Sequence, residues 1–112
     1  MKIIDKLTDN AKQNLILIGE NGEIIPFYIE YLSTQLGWMF NIAYADYRLN
    51  GALLQNSANC LRNYKNFLPF GLACISSTGA EPQNIDDFTS GRIKLYLLNS
   101  FDVETIEAGV FV

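Results

Sequence analysis

The residues that could carry out chemistry are few and poorly grouped. Asp86 and Asp87 are the one adjacent pair of acids in the sequence, and two carboxylates in contact can hold a divalent cation or share a proton. Thr89, Ser90 and Gly91 follow closely, and residues of these types form turns and caps. We therefore interpret Asp86 and Asp87 as turn residues rather than as a metal site or a catalytic site.

Two further groups of polar residues lack what their chemistry would require. Glu20, Asn21 and Glu23 resemble part of a calcium loop, but they supply too few ligands. The hydroxyls at 76–78 have no activating base, because the sequence contains no histidine, the commonest general base and a frequent zinc ligand. The sequence thus predicts no catalytic, cofactor-binding or metal-binding residue, and we expect a protein that is not an enzyme.

Cys60 and Cys74 are the only two cysteines. Their spacing matches neither a zinc knuckle nor a redox pair, and both lie among apolar neighbours. We favour two buried, reduced cysteines that pack as small hydrophobic residues, with a disulfide between them as the alternative.

Composition limits the classes of partner. The net charge is −4, and no basic stripe is present that could bind nucleic acid. Charged residues make up 18% of the chain, which is low for a globular surface and leaves much of it neutral or apolar. Such a surface is typical of a protein that works inside an assembly, although a chain that aggregates easily would show the same composition.

Neither a membrane segment nor an export signal is expected. No apolar run approaches the roughly 20 residues of a membrane-spanning helix. Asp5 also interrupts the region where a signal peptide would have its apolar centre.

The stretch at residues 36–46 organises the predicted fold, which must position the polar residues and cysteines named above. Large apolar side chains occupy every second position, which places them on one face of a β-strand: Leu36, Trp38, Phe40, Ile42 and Tyr44. The aromatic members could stack on a sugar or a base, but on an alternating strand they are typical of a core. The core we predict is Trp38, Phe40, Ile42, Tyr44, Leu72 and Leu95.

Other strands are predicted before and after this one. The apolar run in 13–19 suits a strand buried on both faces, and Asn21-Gly22 predicts a type I′ hairpin turn into a strand at 24–32. Pro26 cannot donate a hydrogen bond, so this strand is expected at a sheet edge. Asn50-Gly51 is the expected next reversal, and the remaining strands are predicted at 52–55, 70–75 and 92–98.

Helical structure is expected to be short. A helix of one or two turns is predicted within 56–65, with Cys60, Leu61 and Tyr64 along one side. A single helical turn around Ile85 and Phe88 is expected within 84–91.

Strands about ten residues apart and joined by turns predict a mainly β fold. The expected architecture is a small antiparallel β-sandwich or barrel with one short helix, in a single domain over residues 1–112. The segment 1–12 is expected to form a short strand or an N-terminal arm. The segment 103–112 is expected to be a docking tail, with Val110, Phe111 and Val112 as its interface, because an apolar terminus frays unless something holds it.

The order of these elements matches a known pattern. Asn21-Gly22 joins the first strand pair, and Gly37-Trp38 opens the organising strand. The segments that follow in the same order are Asn50-Gly51, Cys60-Leu61-Arg62, Pro69-Phe70-Gly71-Leu72, Asp86-Asp87-Phe88, and Gly91-Arg92 with Leu95-Tyr96. As an ordered set, over roughly residues 14–100, the chain resembles the baseplate plug proteins of contractile-tailed phages. It departs from them in having Cys60 where these proteins usually have leucine, and in the tail after Asp102.

The resemblance implies a function. It implies a non-enzymatic structural protein of the phage tail baseplate, which plugs or bridges the distal tail tube near the hub and spike. The implied partners are the hub, the spike and the tube initiator, with several copies of the chain around the tail axis and no cofactor. The implied location is the virion, after assembly in the host cytoplasm. The alternative is a stand-alone small β-barrel that binds a ligand through its aromatic face.

Overall fold

A computed structural model describes residues 1–110, which form two antiparallel sheets. The first sheet has the order β1-β7-β6 and the second has the order β2-β3-β4-β5. The strands are β1 (Lys2–Ile3), β2 (Lys12–Ile18), β3 (Ile24–Leu32), β4 (Gly37–Tyr44), β5 (Tyr47–Leu53), β6 (Gly71–Ser76) and β7 (Ile93–Leu98).

The organising strand is β4, an inner strand of the larger sheet. Its alternation holds, because Trp38, Phe40 and Ile42 are buried on one face. The strand begins one residue later than predicted. Leu36 lies in the preceding turn with a φ of 49° and a 63% exposed side chain, so its place in the alternating set was a coincidence of spacing.

The hairpin at Asn21-Gly22 is confirmed, and β3 has the predicted bounds. Its turn type is different from the prediction. The Gly22 N–H donates to the Gly19 carbonyl at 3.0 Å, and Gly22 has a φ of 86° whereas Asn21 has no positive φ. A type I′ turn needs positive φ at both central residues. Here the central residues are Glu20 and Asn21, neither of which has a positive φ, and Gly22 follows them in the left-handed conformation, as in a three-residue hairpin loop with a bulge.

Pro26 does not place β3 at an edge, because β3 pairs with β2 on one side and with β4 on the other. The Tyr31 N–H donates to Ala11, which precedes β2, at 2.7 Å. Successive N–H groups of a strand point to opposite sides, so the nitrogen of Pro26 faces β4. Pairing with β4 stops at Phe27↔Ile42, and the missing donor therefore costs no ladder bond.

The prediction that residues 13–19 are buried on both faces is wrong. β2 is the edge strand of its sheet. Leu15 and Leu17 are half-buried towards the core, whereas Ile16 is 63% and Ile18 is 48% exposed on the outer face. An unbroken apolar run is compatible with a fully buried strand, but it does not specify whether anything covers the second face.

The reversal predicted at Asn50-Gly51 is also wrong. The chain turns at Ala45 and Asp46, where Tyr44 pairs with Tyr47. Asn50 and Gly51 lie inside β5 at a shift of register, and the Gly51 N–H donates to Asn41 Oδ1 at 2.7 Å. An isolated glycine in a strand often marks such a bulge.

Helical structure is shorter than predicted in the middle of the chain. Within 56–65 only a 3₁₀ turn, Arg62–Tyr64, forms, and Leu61 before it is fully buried. Residues 84–91 form consecutive turns without a helix.

The short helix of the fold lies instead at α1 (Ser100–Thr105), followed by a π-helical turn, Ile106–Val110. The side chains of Asn99 and Asp102 cap the start of α1 reciprocally, which is a capping box. The sequence predictions include no helix here, although Asn99 and Asp102 have the spacing of a capping box.

The two sheets share one core with the loop residues between them. Its buried members are Ile25, Phe27, Ile29, Trp38, Phe40, Ile42, Leu54, Leu61, Leu68, Phe70, Leu72, Cys74, Ile93, Leu95 and Leu97. A mainly β fold of antiparallel sheets with one short helix is therefore confirmed. Among residues 1–110 the sheets do not close into a barrel, because β1 and β2 end them as unpaired edges.

Replacing Trp38 by alanine should lower the free energy of unfolding by about 3–5 kcal/mol, because the substitution leaves a large cavity in the core. Against a usual total of about 5–15 kcal/mol, this loss brings the domain close to unfolding. Urea titration followed by circular dichroism measures the change. Leu36→Ala is the matched control and should stay within about 0.5 kcal/mol; equal effects of the two substitutions would contradict the assignment of the core.

Candidate interaction surface

The side chains predicted for the core all lie inside or against it. Trp38, Phe40, Ile42, Leu72 and Leu95 are buried, and Tyr44 is half-buried with its ring edge against Phe70, 5.7 Å between centroids. The aromatic face that a ligand-binding alternative would use is thus occupied by the protein's own packing.

The two neighbouring aspartates do not form one site. Asp86 is exposed, whereas Asp87 is fully buried. Asp87 Oδ1 accepts from Arg92 Nε at 2.9 Å and from Arg92 Nη2 at 2.6 Å. Its Oδ2 accepts from the backbone N–H groups of Gln83 and Asn84, at 2.8 and 2.9 Å. Four donors satisfy this carboxylate, which is what burial of a charge requires, so its role is structural.

This ion pair fixes the segment 81–92 against the larger sheet. The Trp38 indole N–H donates to the Asn84 carbonyl at 3.1 Å, and the Tyr31 hydroxyl donates to the Gln83 carbonyl at 2.7 Å. The ring of Phe88 lies 4.9 Å from that of Trp38. The segment therefore covers the core beside β3 and β4, and its polar atoms are used in doing so.

The cysteines are free thiols, so the disulfide alternative is wrong for this structure. Burial raises the pKa of Cys60 from 9.0 to about 11, and burial also raises the pKa of the Cys74 thiol, further still. Both groups are protonated at neutral pH and lack the thiolate that nucleophilic or metal chemistry needs.

The outer face of the β2–β3 hairpin is an exposed apolar surface. Ile16 is paired with Pro26, and Ile18 with Ile24, across the two strands. All four residues are exposed, and we call them the hairpin patch. Contiguous exposed apolar residues of this kind mark interaction sites, and sequence reasoning missed them because it placed the run in the interior.

A groove runs along the open side of the molecule between β1 and β2. It has a volume of about 420 Å³ and is lined by residues 2–6, residues 14–18 and Leu97. The hairpin patch adjoins it through Ile16 and Ile18, which belong to both. We call this the edge groove.

The C-terminal segment lies on the surface. The N-terminal ammonium of Met1 contacts Asp102 Oδ2 at 2.7 Å and lowers the pKa of that carboxyl. Glu107 pairs with Arg62 at 3.3 Å and with Lys65 at 3.2 Å. Of the predicted interface, Phe111 and Val112 lie outside the described residues, and Val110 is described only in its backbone, where it ends the π-helical turn.

In residues 1–110 no group of three or more histidine, cysteine or acidic residues is placed to hold a metal ion. No helix in these residues is long and apolar enough to cross a membrane.

Comparison with known proteins identifies the family. The family model described as cyanophage baseplate Pam3 plug gp18 matches residues 1–100. The chain belongs to this family. A search of curated proteins gives no match.

The resemblance inferred from the order of elements is thus confirmed, and the match extends further towards the N-terminus than that inference did. As a member of the cyanophage baseplate plug family, the chain is a structural protein of the phage tail baseplate, is located in the virion tail, and associates with other baseplate components.

The aspartates give a sharp test of the geometry. Asp87→Asn should destabilise the protein by about 3–5 kcal/mol, because the substitution leaves the Arg92 guanidinium without its buried counter-ion. Asp86→Asn, on the exposed neighbour, should stay within about 0.5 kcal/mol. Thermal melts of the two variants measure the difference, and two similar melts would contradict the buried ion pair between Asp87 and Arg92.

The thiols give a second test, by their reaction with iodoacetamide. A raised pKa keeps each thiol neutral until the pH approaches the folded value, so alkylation of Cys60 in the native protein should be slow at pH 8 and accelerate towards pH 11. Cys74, whose pKa is raised further, should stay slow over this range. Both cysteines should react quickly in urea. Mass spectrometry counts the added groups, and fast modification of the native protein at pH 8 would contradict the inferred protonation.

Proposed function

We propose that this protein plugs the distal end of the tail tube, near the hub and spike, as a non-enzymatic structural component. The family match over residues 1–100 is the observation that supports this proposal most. The exposed hairpin patch supports it further, because a protein with such a surface gains stability from being covered inside an assembly.

The environments of the Asp87 carboxylate and of the two thiols support a role without catalysis. The Asp87 carboxylate is saturated by four donors. The two thiols are held in their neutral form. An enzyme needs such groups poised towards a cleft and a substrate, whereas here they hold loops against the core.

The proposed partners are the hub, the spike and the tube initiator. Several copies of the chain would surround the tail axis, each presenting its hairpin patch to another baseplate protein. We propose assembly in the host cytoplasm, before or while the tube grows from the baseplate.

The segment 103–112 is proposed as a docking segment, with Val110, Phe111 and Val112 in contact with a neighbouring subunit or the hub. α1 has no buried residue, so the core does not depend on it. Its start is fixed by the capping box with Asn99. In the π-helical turn that follows, Glu107 pairs with the exposed bases Arg62 and Lys65, and such pairs are weak contacts. The segment could therefore leave the surface at little cost to the fold.

Tails assembled with and without this protein test the proposed position. Cryo-electron microscopy of the complete tail should show its density on the axis, between the distal end of the tube and the hub and spike. Tails made in its absence should lack that density and show an open tube or no spike. Complete, spiked tails without the protein would contradict the plugging role.

Deleting residues 103–112 should leave the melting temperature nearly unchanged, because Asn99 and Asp102 of the capping box remain and none of the side chains described at 103–108 is buried. The same deletion should abolish incorporation into tails, measured by immunoblotting of purified particles. Replacing Val110, Phe111 and Val112 together by serine is the matched control of full length, and it should also prevent incorporation. A truncated chain that fails to fold would show that the segment is part of the domain rather than a docking tail.

A further inference from the structure

Both sheets end in an unpaired strand on the same side of the molecule. β1 pairs only with β7, and β2 pairs only with β3, within residues 1–110. The edge groove lies between these two strands. An unpaired edge presents a row of backbone donors and acceptors that another chain can extend.

The backbone groups that point into solvent can be identified along β2. The Ala11 carbonyl accepts from Tyr31 N–H at 2.7 Å, and Gly19 N–H donates to the Glu23 carbonyl at 2.8 Å. Odd-numbered residues of β2 therefore face β3, and even-numbered residues face away. The outward donors and acceptors belong to Lys12, Asn14, Ile16 and Ile18.

The same reasoning applies to β1. The Ile4 N–H donates to the Leu95 carbonyl of β7 at 2.8 Å, so the N–H and carbonyl of Ile3 face away from β7. Ile3 and residues 14–18 line the same groove. Each wall of the groove thus offers backbone groups that no bond within the described chain occupies.

This edge lacks the features that usually protect edge strands. Natural edges are short, or carry charges, proline or a bulge. β2 has seven residues, no proline, and a single charge at its first residue, Lys12, and its pairing with β3 is regular throughout. Ile16 and Ile18 are exposed beside it. An edge of this kind is expected to be covered when the protein works.

We propose that an extended segment of another baseplate protein binds in the edge groove as an added strand, paired with the outward groups of β2. This inference rests on the proposed function, because it names how the plug is held. The segment carries apolar residues on both faces: those at one set of alternate positions contact Leu15 and Leu17, and those between them contact Ile16 and Ile18.

Charge indicates a further property of the segment. The charged residues that line the edge groove are Lys2, Asp5 and Lys6, so the groove is positive although the chain carries −4 overall. A complementary segment has an acidic residue near Lys6. Complementary charge of this kind chiefly sets register and the choice of partner.

The first experiment uses overlapping synthetic peptides that cover the proteins of purified tails. A peptide that binds the full-length protein is then examined by residue-resolved amide hydrogen exchange. In the free protein the amides of Leu15 and Leu17 should exchange slowly, and those of Asn14, Ile16 and Ile18 quickly. Binding should protect the second set, whereas docking through side chains alone would leave it exchanging quickly and overturn the added strand.

Substitutions at Ile16 separate the contribution of its backbone N–H to peptide binding from the contribution of its side chain. Ile16→Pro removes an outward N–H and no bond to β3, so it should weaken peptide binding about tenfold or more with little change in the melting temperature. Leu53→Pro is the matched control. The Leu54 N–H donates to the Trp38 carbonyl, so the backbone N–H of Leu53 points away from β4, at the opposite edge of the same sheet. The Leu53→Pro variant should therefore bind the peptide normally. Ile16→Thr keeps the N–H and should bind more tightly than Ile16→Pro.

The outcomes distinguish this inference from the plugging role. Tails that incorporate Ile16→Pro as well as the wild type, with no peptide protecting the even-numbered amides, would overturn the inference and leave the plug intact. Concentration-dependent protection of those amides in the protein alone would show that a second copy occupies the edge, which also overturns it. Absence of the protein from purified tails would instead overturn the proposed function.

Discussion

The fold depends on burying one indole whose N–H must still find an acceptor. Trp38 is fully buried in β4, and its hydrogen bond to the Asn84 carbonyl fixes where the segment 81–92 has to lie. That segment can cross the core only because Asp87 and Arg92 neutralise each other there, with the remaining carboxylate oxygen bonded to backbone N–H groups. A buried pair of this kind gives little net stability but penalises other arrangements strongly. Packing, hydrogen bonding and charge therefore specify one position for the connection between β6 and β7.

Much of the fold could be predicted from local patterns, and the errors share a physical cause. Alternation identified β4, and the bounds of β3 followed from Asn21-Gly22 and the apolar positions after it. The errors concern what lies beside a strand: the exposed outer face of β2, the inner position of β3 despite Pro26, and the bulge at Gly51. A sequence specifies which residues alternate, but neighbours in a sheet are chosen by long-range packing. Proline predicted a sheet edge and Asn50-Gly51 predicted a turn. In the structure Pro26 lies where pairing with β4 stops, and Gly51 lies at a bulge, and both positions depend on the register of the strands.

The candidate surface was harder to predict than the fold. The sequence does not distinguish Asp86 from Asp87, although one is exposed and the other fully buried. Arg92 was noticed within a family pattern and not as the partner of Asp87. Low charge predicts a surface that is largely neutral or apolar, but the position of the exposed hairpin patch depends on the order of strands in the two sheets. The order of elements along the chain, by contrast, was enough to indicate the baseplate plug family.

Strand β2 divides its residues between two tasks. Odd-numbered positions carry the hydrogen bonds to β3 and the side chains that face the core, whereas even-numbered positions carry the outward groups and the exposed isoleucines. Selection can therefore alter the outer set without loosening the interior, since the two sets share a backbone but few contacts. A lineage of such proteins could change its neighbours in the particle by substitutions at alternate positions of one strand, while the domain kept its stability. Related sequences would then differ mainly at the even-numbered positions of β2 and agree at the odd-numbered ones.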